Sequence, residues 1–255
     1  MGSPIDFKSR CSIETWEKEL FNLILNCTKH LVVKIVGFKT EHQEKSKDDP
    51  FAEGLEPVVC LNGFFYSDSD ALILTCTHAL SCGATCFYAL FNDGANSNAI
   101  HPLELVNSSL MQGPAHGNAG VGWVDVVVFR CPQHPVRPPR LHGACAAPGE
   151  KACVIGFAGQ DAAQLSYSVG TISRVALESF KIEAYAESCY FGSPILNIDG
   201  FLIGMAKCTE NCPDGSCSPM EVTAVPAQNI NLFLLYAEPR LPELTEYAAP
   251  GMLSS

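Results

Sequence analysis

The chain has 255 residues, enough for one or two domains with a sizeable hydrophobic core. Hydrophobic residues make up 47% and charged residues 17% of the chain, a balance that excludes an extended disordered protein. The 16 basic residues are outnumbered by 27 acidic ones, and the formal net charge of −11 argues against nucleic acid as a partner because phosphate contact requires a basic face.

The sequence also lacks the usual membrane and export signals. No segment has the roughly 18 to 20 consecutive apolar residues that a spanning helix requires. The N-terminal residues from Met1 to Lys8 have no apolar core of the kind that a secretory signal contains. We therefore expect an intracellular protein, of the cytoplasm or nucleus, without a membrane partner and with its 13 cysteines mostly reduced.

The pattern of apolar residues predicts one long helix followed by many strands. Residues 12–27 predict an amphipathic helix, because apolar side chains recur at intervals of three and four and Ser12 is a suitable N-cap. The β-branched run 31–36 predicts the first strand. Further predicted strands, separated by turn residues, are 58–66, 71–76, 86–91, 124–129, 152–157, 165–174, 180–184, 194–197 and 201–207. Residues 226–236 predict a closing helix that begins at Pro226.

Short strands joined directly by turns are typical of β-barrels or sandwiches rather than of βαβ units. The proline-rich segment 132–149 divides the strands into two groups of similar size. The sequence therefore predicts two β subdomains joined by a linker.

Two segments place a titratable side chain beside an apolar strand. His78 follows the apolar run 71–76 where the chain turns, so rigid structure would position its imidazole, as a general base requires. Asp125 precedes the apolar run 126–129, where a carboxylate is costly to bury without a hydrogen-bond donor such as a histidine ring N–H. Taken singly, each is better explained as a structural residue. A third segment, 188–204, has a turn of small residues, a strand, an Asp-Gly hairpin and a second strand.

The order of these three segments resembles the trypsin-like (chymotrypsin-fold) serine peptidases, especially the HtrA-type branch. Residues 63–64 and 73–79 are similar to the family's histidine motif, and residues 125–129 are similar to the strand that carries its acid. Residues 148–157, 168–173 and 224–226 resemble parts of the family's second barrel and its ending. Several motifs in the correct order are far more specific than any one of them.

The resemblance implies an all-β protein of two antiparallel six-stranded β-barrels, with an N-terminal helix and a short C-terminal helix. The implied boundaries are a helical extension at 1–30, a first barrel at 31–135, a linker at 136–148, a second barrel with the closing helix at 149–238, and a tail at 239–255. His78 and Asp125 would face the turn 189–194 across a cleft between the barrels, where a protein or peptide ligand would bind.

The nucleophile motif departs from the family's pattern. The family's turn reads G-x-S-G-G-P, and an ungapped count back from Pro194 places Phe191 at the serine position. Gly192 then falls in the oxyanion-hole region, where we expect its N–H to be free. A phenyl group can neither attack a carbonyl carbon nor donate a proton to a histidine. The sequence therefore predicts an inactive peptidase homologue, a pseudoprotease that acts by binding.

Two alternatives remain open at this point. Cys189 or Ser193 would serve as a displaced nucleophile if the turn were rebuilt, which would make the protein an active intracellular serine or cysteine endopeptidase. Cysteines at 82 and 86, and at 208, 212 and 217, are candidate zinc ligands, but their spacing provides no obvious set of four. We therefore predict neither a metal nor a cofactor.

Overall fold

The structure is a computed structural model that describes residues 7–39, 56–66, 71–91, 99–109, 124–132, 141–158, 165–185, 190–207 and 221–237. Within these residues the chain forms twelve strands and three helices. The strands belong to two closed barrels.

The first barrel contains six strands, and every neighbouring pair is antiparallel. Its strands are β1 (Val32–Phe38), β2 (Val59–Phe65), β3 (Leu72–Thr75), β4 (Cys86–Phe91), β5 (Ala99–Ser108) and β6 (Val127–Arg130). The order around the barrel is β1-β2-β3-β6-β5-β4, with β4 paired to β1. Closure leaves this sheet without an unpaired edge.

The second barrel repeats this arrangement. Its strands are β7 (Lys151–Phe157), β8 (Leu165–Val175), β9 (Phe180–Glu183), β10 (Pro194–Asn197), β11 (Leu202–Ala206) and β12 (Val222–Pro226). They follow the order β7-β8-β9-β12-β11-β10, and β10 pairs with β7 to close the barrel. The two barrels therefore share one strand order, and the predicted fold class is confirmed.

The three helices are α1 (Phe7–Thr28), α2 (His78–Ser81) and α3 (Ala227–Ala237). Helix α1 buries Phe21 and Ile24, and the Tyr167 hydroxyl on β8 donates to the Asn22 side chain at 3.0 Å. The Tyr66 hydroxyl, just after β2, donates to the Asn231 side chain on α3 at 2.5 Å. Both long helices were predicted from the sequence; α2 was not.

Apolar residues form a core inside each barrel and a third cluster that joins them. The joining cluster includes Phe64 from the first barrel, Met205 from the second, and Phe21 and Phe233 from the long helices. Phe191 packs against this cluster and also against the core of the first barrel. It therefore lies where the two barrels meet.

Some predicted elements differ from the structure. Strand β5 was not predicted, because Pro102 and Glu104 interrupt its apolar pattern. Strand β12 was not predicted either. The strand predicted at 124–129 begins only at Val127, and the Val126 N–H donates to the Val124 carbonyl oxygen at 3.0 Å. Residues 136–140 of the predicted linker lie outside the described residues. No helix in the described part of the chain is long and apolar enough to cross a membrane.

Candidate active site

The turn before β10 is held by backbone hydrogen bonds to both barrels. The Asn62 N–H on β2 donates to the Phe191 carbonyl oxygen at 2.8 Å, and the Gly192 N–H donates to the Ala206 carbonyl oxygen on β11 at 2.8 Å. Within the turn, the Ser193 N–H donates to the Tyr190 carbonyl oxygen at 2.9 Å. These bonds fix the position from which the Phe191 side chain projects.

The structure brings Phe191 against His78. Their ring centroids are 5.8 Å apart and the ring planes are inclined by 68°, an edge-to-face contact. Phe191 is half-buried, and so is His78, the first residue of α2. The two residues that the sequence assigns to the nucleophile position and to the general base are therefore neighbours.

The His78 imidazole faces its own helical turn. Its Nδ1 lies 3.3 Å from the Ser81 Oγ, and its Nε2 lies 3.6 Å from the Cys82 Sγ. Residues three and four positions apart share one face of a helix, which accounts for this grouping.

Asp125 is occupied by the residue before the histidine. Its Oδ1 accepts the Thr77 backbone N–H at 2.6 Å and the Thr77 hydroxyl at 2.5 Å. No hydrogen bond joins Asp125 to His78 in the part of the chain that the structure describes, so the predicted hydrogen-bonded pair is wrong in this arrangement. The physical reason is the direction of the His78 ring, whose two nitrogens face Ser81 and Cys82 in its own helical turn.

The prediction of a free Gly192 N–H is also wrong, because this group donates to Ala206. Gly192 adopts a φ of +80°, in the region that favours glycine. Its backbone lies so close to β2 and β3 that a Cβ atom would be 2.0 Å from the Asn62 carbonyl oxygen and 2.3 Å from the Thr75 Oγ1. Gly192 therefore serves to pack the turn against the first barrel.

Ser193 and Cys189 are the two candidates for a displaced nucleophile. Ser193 is fully buried, and its hydroxyl has no hydrogen-bond partner among the described residues. Its Oγ lies 2.3 Å from where a Cβ atom on Gly156 of β7 would be, so the side chain points into the second barrel's wall. A substrate does not reach Ser193 in this conformation. Cys189 lies outside the described residues.

Asn62 is a buried residue of the site that the sequence reasoning missed. Its Oδ1 accepts the Phe157 N–H on β7 at 2.8 Å, and its Nδ2 donates to the Phe157 carbonyl oxygen at 3.4 Å. Its own carbonyl oxygen accepts the Thr75 hydroxyl at 2.7 Å. One asparagine in an otherwise apolar strand was the available signal, since a buried amide requires partners.

The cysteines that are candidate zinc ligands form no metal site within the described residues. No group of three or more histidine, cysteine or acidic side chains suited to a metal is found there. Cys82 and Cys86 are described and carry free thiols. Cys208, Cys212 and Cys217 lie outside the described residues.

Comparison with known proteins assigns the chain to a family. The family model described as a trypsin-like peptidase domain matches residues 62–205, more than half of the chain. The chain therefore belongs to the trypsin-like peptidase family. A search of the curated proteins gives no match.

A solved structure shares the architecture. Rv3671c from M. tuberculosis H37Rv, crystallised as a serine-to-alanine mutant in its inactive form, superposes with a TM-score of 0.60. The likeness covers 86% of this chain and 92% of that chain at 17% sequence identity. At this identity the similarity concerns the fold.

Proposed function

We propose that this protein is a trypsin-like peptidase homologue without peptidase activity, which binds a protein or peptide segment in the cleft between its barrels. The observation that carries the proposal is the Phe191 ring beside His78, where the family places its nucleophilic serine. A phenyl ring has no atom that attacks a carbonyl carbon and no proton to transfer to the imidazole. Loss of the nucleophile from such a triad costs on the order of a millionfold in rate.

The groups around Phe191 support the same conclusion. The Asp125 carboxylate accepts two hydrogen bonds from Thr77 and, within the described residues, none from the imidazole, so it does not orient His78 in this arrangement. The imidazole instead faces Ser81 and Cys82. In an active triad the acid holds the histidine in the correct tautomer and orientation. More than one catalytic part is therefore out of place.

The side chains at the junction of the barrels and the charge of the chain agree with a binding role. The half-buried Phe191 ring offers an apolar contact at the junction of the barrels, and aromatic residues are enriched in the surfaces through which proteins bind partners. The net charge of −11 disfavours nucleic acid as the partner. The free thiols of the described cysteines fit a reducing compartment such as the cytoplasm or nucleus.

The alternative function is an active endopeptidase with a displaced nucleophile at Cys189 or Ser193. The complete burial of Ser193 argues against this residue as the nucleophile. The experiment measures cleavage of casein and of a peptide library, together with labelling by a fluorophosphonate and by iodoacetamide and mapping of the labelled residue. We expect no cleavage and no fluorophosphonate adduct. Cleavage that disappears in His78→Ala would contradict the proposal, and its loss in Cys189→Ala or Ser193→Ala would identify the displaced nucleophile.

Binding is tested separately with peptides selected from a display library on the purified protein. We expect Phe191→Ala to weaken binding of the selected peptides at least about fivefold, since truncation of an aromatic anchor typically costs about 1 kcal/mol or more. Phe201→Ala is the matched control, because Phe201 is 42% exposed and lies at the opposite end of β10, beyond its hairpin. Equal effects of the two substitutions would place the ligand outside the cleft.

A further inference from the structure

Cys82 and His78 form a thiol–imidazole pair at the start of the segment that follows β3. The Cys82 Sγ lies 3.6 Å from the His78 Nε2 and 3.6 Å from the His78 carbonyl oxygen. The thiol proton therefore has an acceptor in either the ring or the backbone. On the other side of the ring, the Ser81 Oγ contacts Nδ1 at 3.3 Å and also donates to the His78 carbonyl oxygen at 2.9 Å. The imidazole is thus held over its own helical turn.

Cys82 is accessible, unlike several other thiols of the chain. It is half-buried, whereas Cys76, Cys131 and Cys153 are fully buried. Cys86 is the natural comparison, because it is also half-buried and lies only four residues further along, at the start of β4. The Cys86 Sγ contacts the Thr85 hydroxyl at 3.7 Å, a group that does not accept a proton as an imidazole does.

The reactive form of cysteine is the thiolate, and a neighbouring imidazole favours it by accepting the proton. This is the chemistry of cysteine–histidine pairs in general, whatever the fold that carries them. We propose that Cys82 is a modification site for small hydroperoxides and that His78 is its proton acceptor. The reaction uses neither Phe191 nor Asp125, and it goes beyond binding in the cleft.

The step balances with the hydroperoxide as the oxidant. His78 accepts the Cys82 thiol proton at Nε2, and the thiolate attacks the terminal oxygen of the hydroperoxide. A sulfur–oxygen bond forms while the oxygen–oxygen bond breaks, and the released alkoxide or hydroxide takes the proton back from His78. Sulfur is oxidised to a sulfenic acid and the hydroperoxide is reduced to an alcohol or water.

The test exposes the folded chain of 255 residues to hydrogen peroxide at pH 7 with dimedone present, which traps sulfenic acids. Mass spectrometry with fragment-ion mapping then measures the initial labelling rate at each cysteine. We expect Cys82 to be labelled at least about tenfold faster than Cys86, since the His78 ring contacts the Cys82 thiol and can accept its proton, whereas the contact of Cys86 is the Thr85 hydroxyl. His78→Gln should bring the two rates within about threefold, and Cys82→Ser should remove most of the early label.

Each outcome decides the proposal. Equal rates at Cys82 and Cys86 in the unsubstituted protein would overturn it without any variant, so it remains testable even if His78→Gln does not fold. A Cys82 rate that stays high in a folded His78→Gln variant would overturn the role of the imidazole. Because the measurement reads sulfenic acid rather than cleavage or peptide binding, its failure is distinct from failure of the proposed function.

Discussion

The Asn62 carbonyl oxygen occupies the space in which a side chain at position 192 would begin. A Cβ atom on Gly192 would lie 2.0 Å from that oxygen, far inside van der Waals contact. The backbone at Gly192 also has a φ of +80°. The turn that carries Phe191 therefore packs against the first barrel through a glycine at which any side chain is costly.

The first prediction compares two glycines with nearly equal φ angles. Gly192→Ala should lower the free energy of unfolding by about 3–5 kcal/mol, because backbone strain and a steric clash both act there. Gly200→Ala should cost only about 1–2 kcal/mol, the strain alone, since Gly200 has a φ of +79° and no atom within 4 Å of the added Cβ. Urea denaturation measures both. Similar losses would show that the Gly192 contact relaxes without cost.

The second prediction concerns the amide that connects the barrels. Asn62→Ala removes both hydrogen bonds to Phe157 and leaves buried backbone groups without partners. We expect the free energy of unfolding to fall by about 2–3 kcal/mol. Asn229→Ala is the control, because the Asn229 amide also donates to one backbone oxygen, that of the 92% exposed Leu177, where water replaces it.

Asn229→Ala should cost less than about 1 kcal/mol by the same denaturation measurement. A loss at Asn62 no larger than this would mean that water or another donor replaces the amide. The barrels would then be held together by their apolar contacts alone.

The sequence predicts a strand of this fold where the strand has a clear pattern of apolar residues and a turn signal at its end. Strand β10 was predicted at its observed bounds, because an Asp-Gly turn at Gly200 ends it sharply. Strand β5 was not predicted, since its alternation is broken by Pro102 and its residues are partly exposed. A strand of this kind is stabilised by pairing with β4 and β6, which a local pattern does not reveal.

The site was predictable in its residues but not in its contacts. The order of motifs placed His78 and Phe191 together, and the structure has them in contact. The pairing of Thr77 with Asp125 spans 48 positions and gives one carboxylate oxygen two donors that no motif specifies. The direction of the His78 ring likewise depends on a short helix, α2, that has too few residues to leave a periodic signal.

The third prediction is that Phe191→Ser restores little reactivity. The hydroxyl would lie beside His78, but the two nitrogens of the imidazole face Ser81 and Cys82 rather than Asp125. We expect weak fluorophosphonate labelling at position 191 and no turnover of casein. The free energy of unfolding should fall by about 1–3 kcal/mol, because a half-buried aromatic ring is replaced by a small polar group.

The control for this experiment is Phe201→Ser, which removes a ring that is 42% exposed and should cost less than about 1 kcal/mol. Complete labelling with rapid turnover in Phe191→Ser would mean that the missing hydroxyl is the single defect of the site. An unchanged stability would show that the ring is not packed between the barrels.

The fourth prediction concerns a buried thiol at alkaline pH. Burial raises the pKa of Cys153 from its ordinary value of 9.0 to about 12, although a backbone hydrogen bond with Leu196 acts in the opposite direction. The folded-state pKa is the higher one, so the stabilisation is fully present below pH 9.0 and is lost as the pH rises toward 12. Between these values the unfolded thiol ionises while the folded thiol keeps its proton. Each pH unit then costs about 1.4 kcal/mol.

Urea denaturation at pH 8 and pH 10.5 measures this loss. Between the two pH values the unsubstituted protein should lose about 2 kcal/mol more than Cys153→Ala does, since the pH exceeds the unfolded thiol's ordinary value by about 1.5 units. Because each protein is compared with itself at the two pH values, the packing cost of the substitution, which is the same at both, cancels. Equal losses in the unsubstituted protein and Cys153→Ala would mean that Cys153 ionises in the folded state as readily as in the unfolded one.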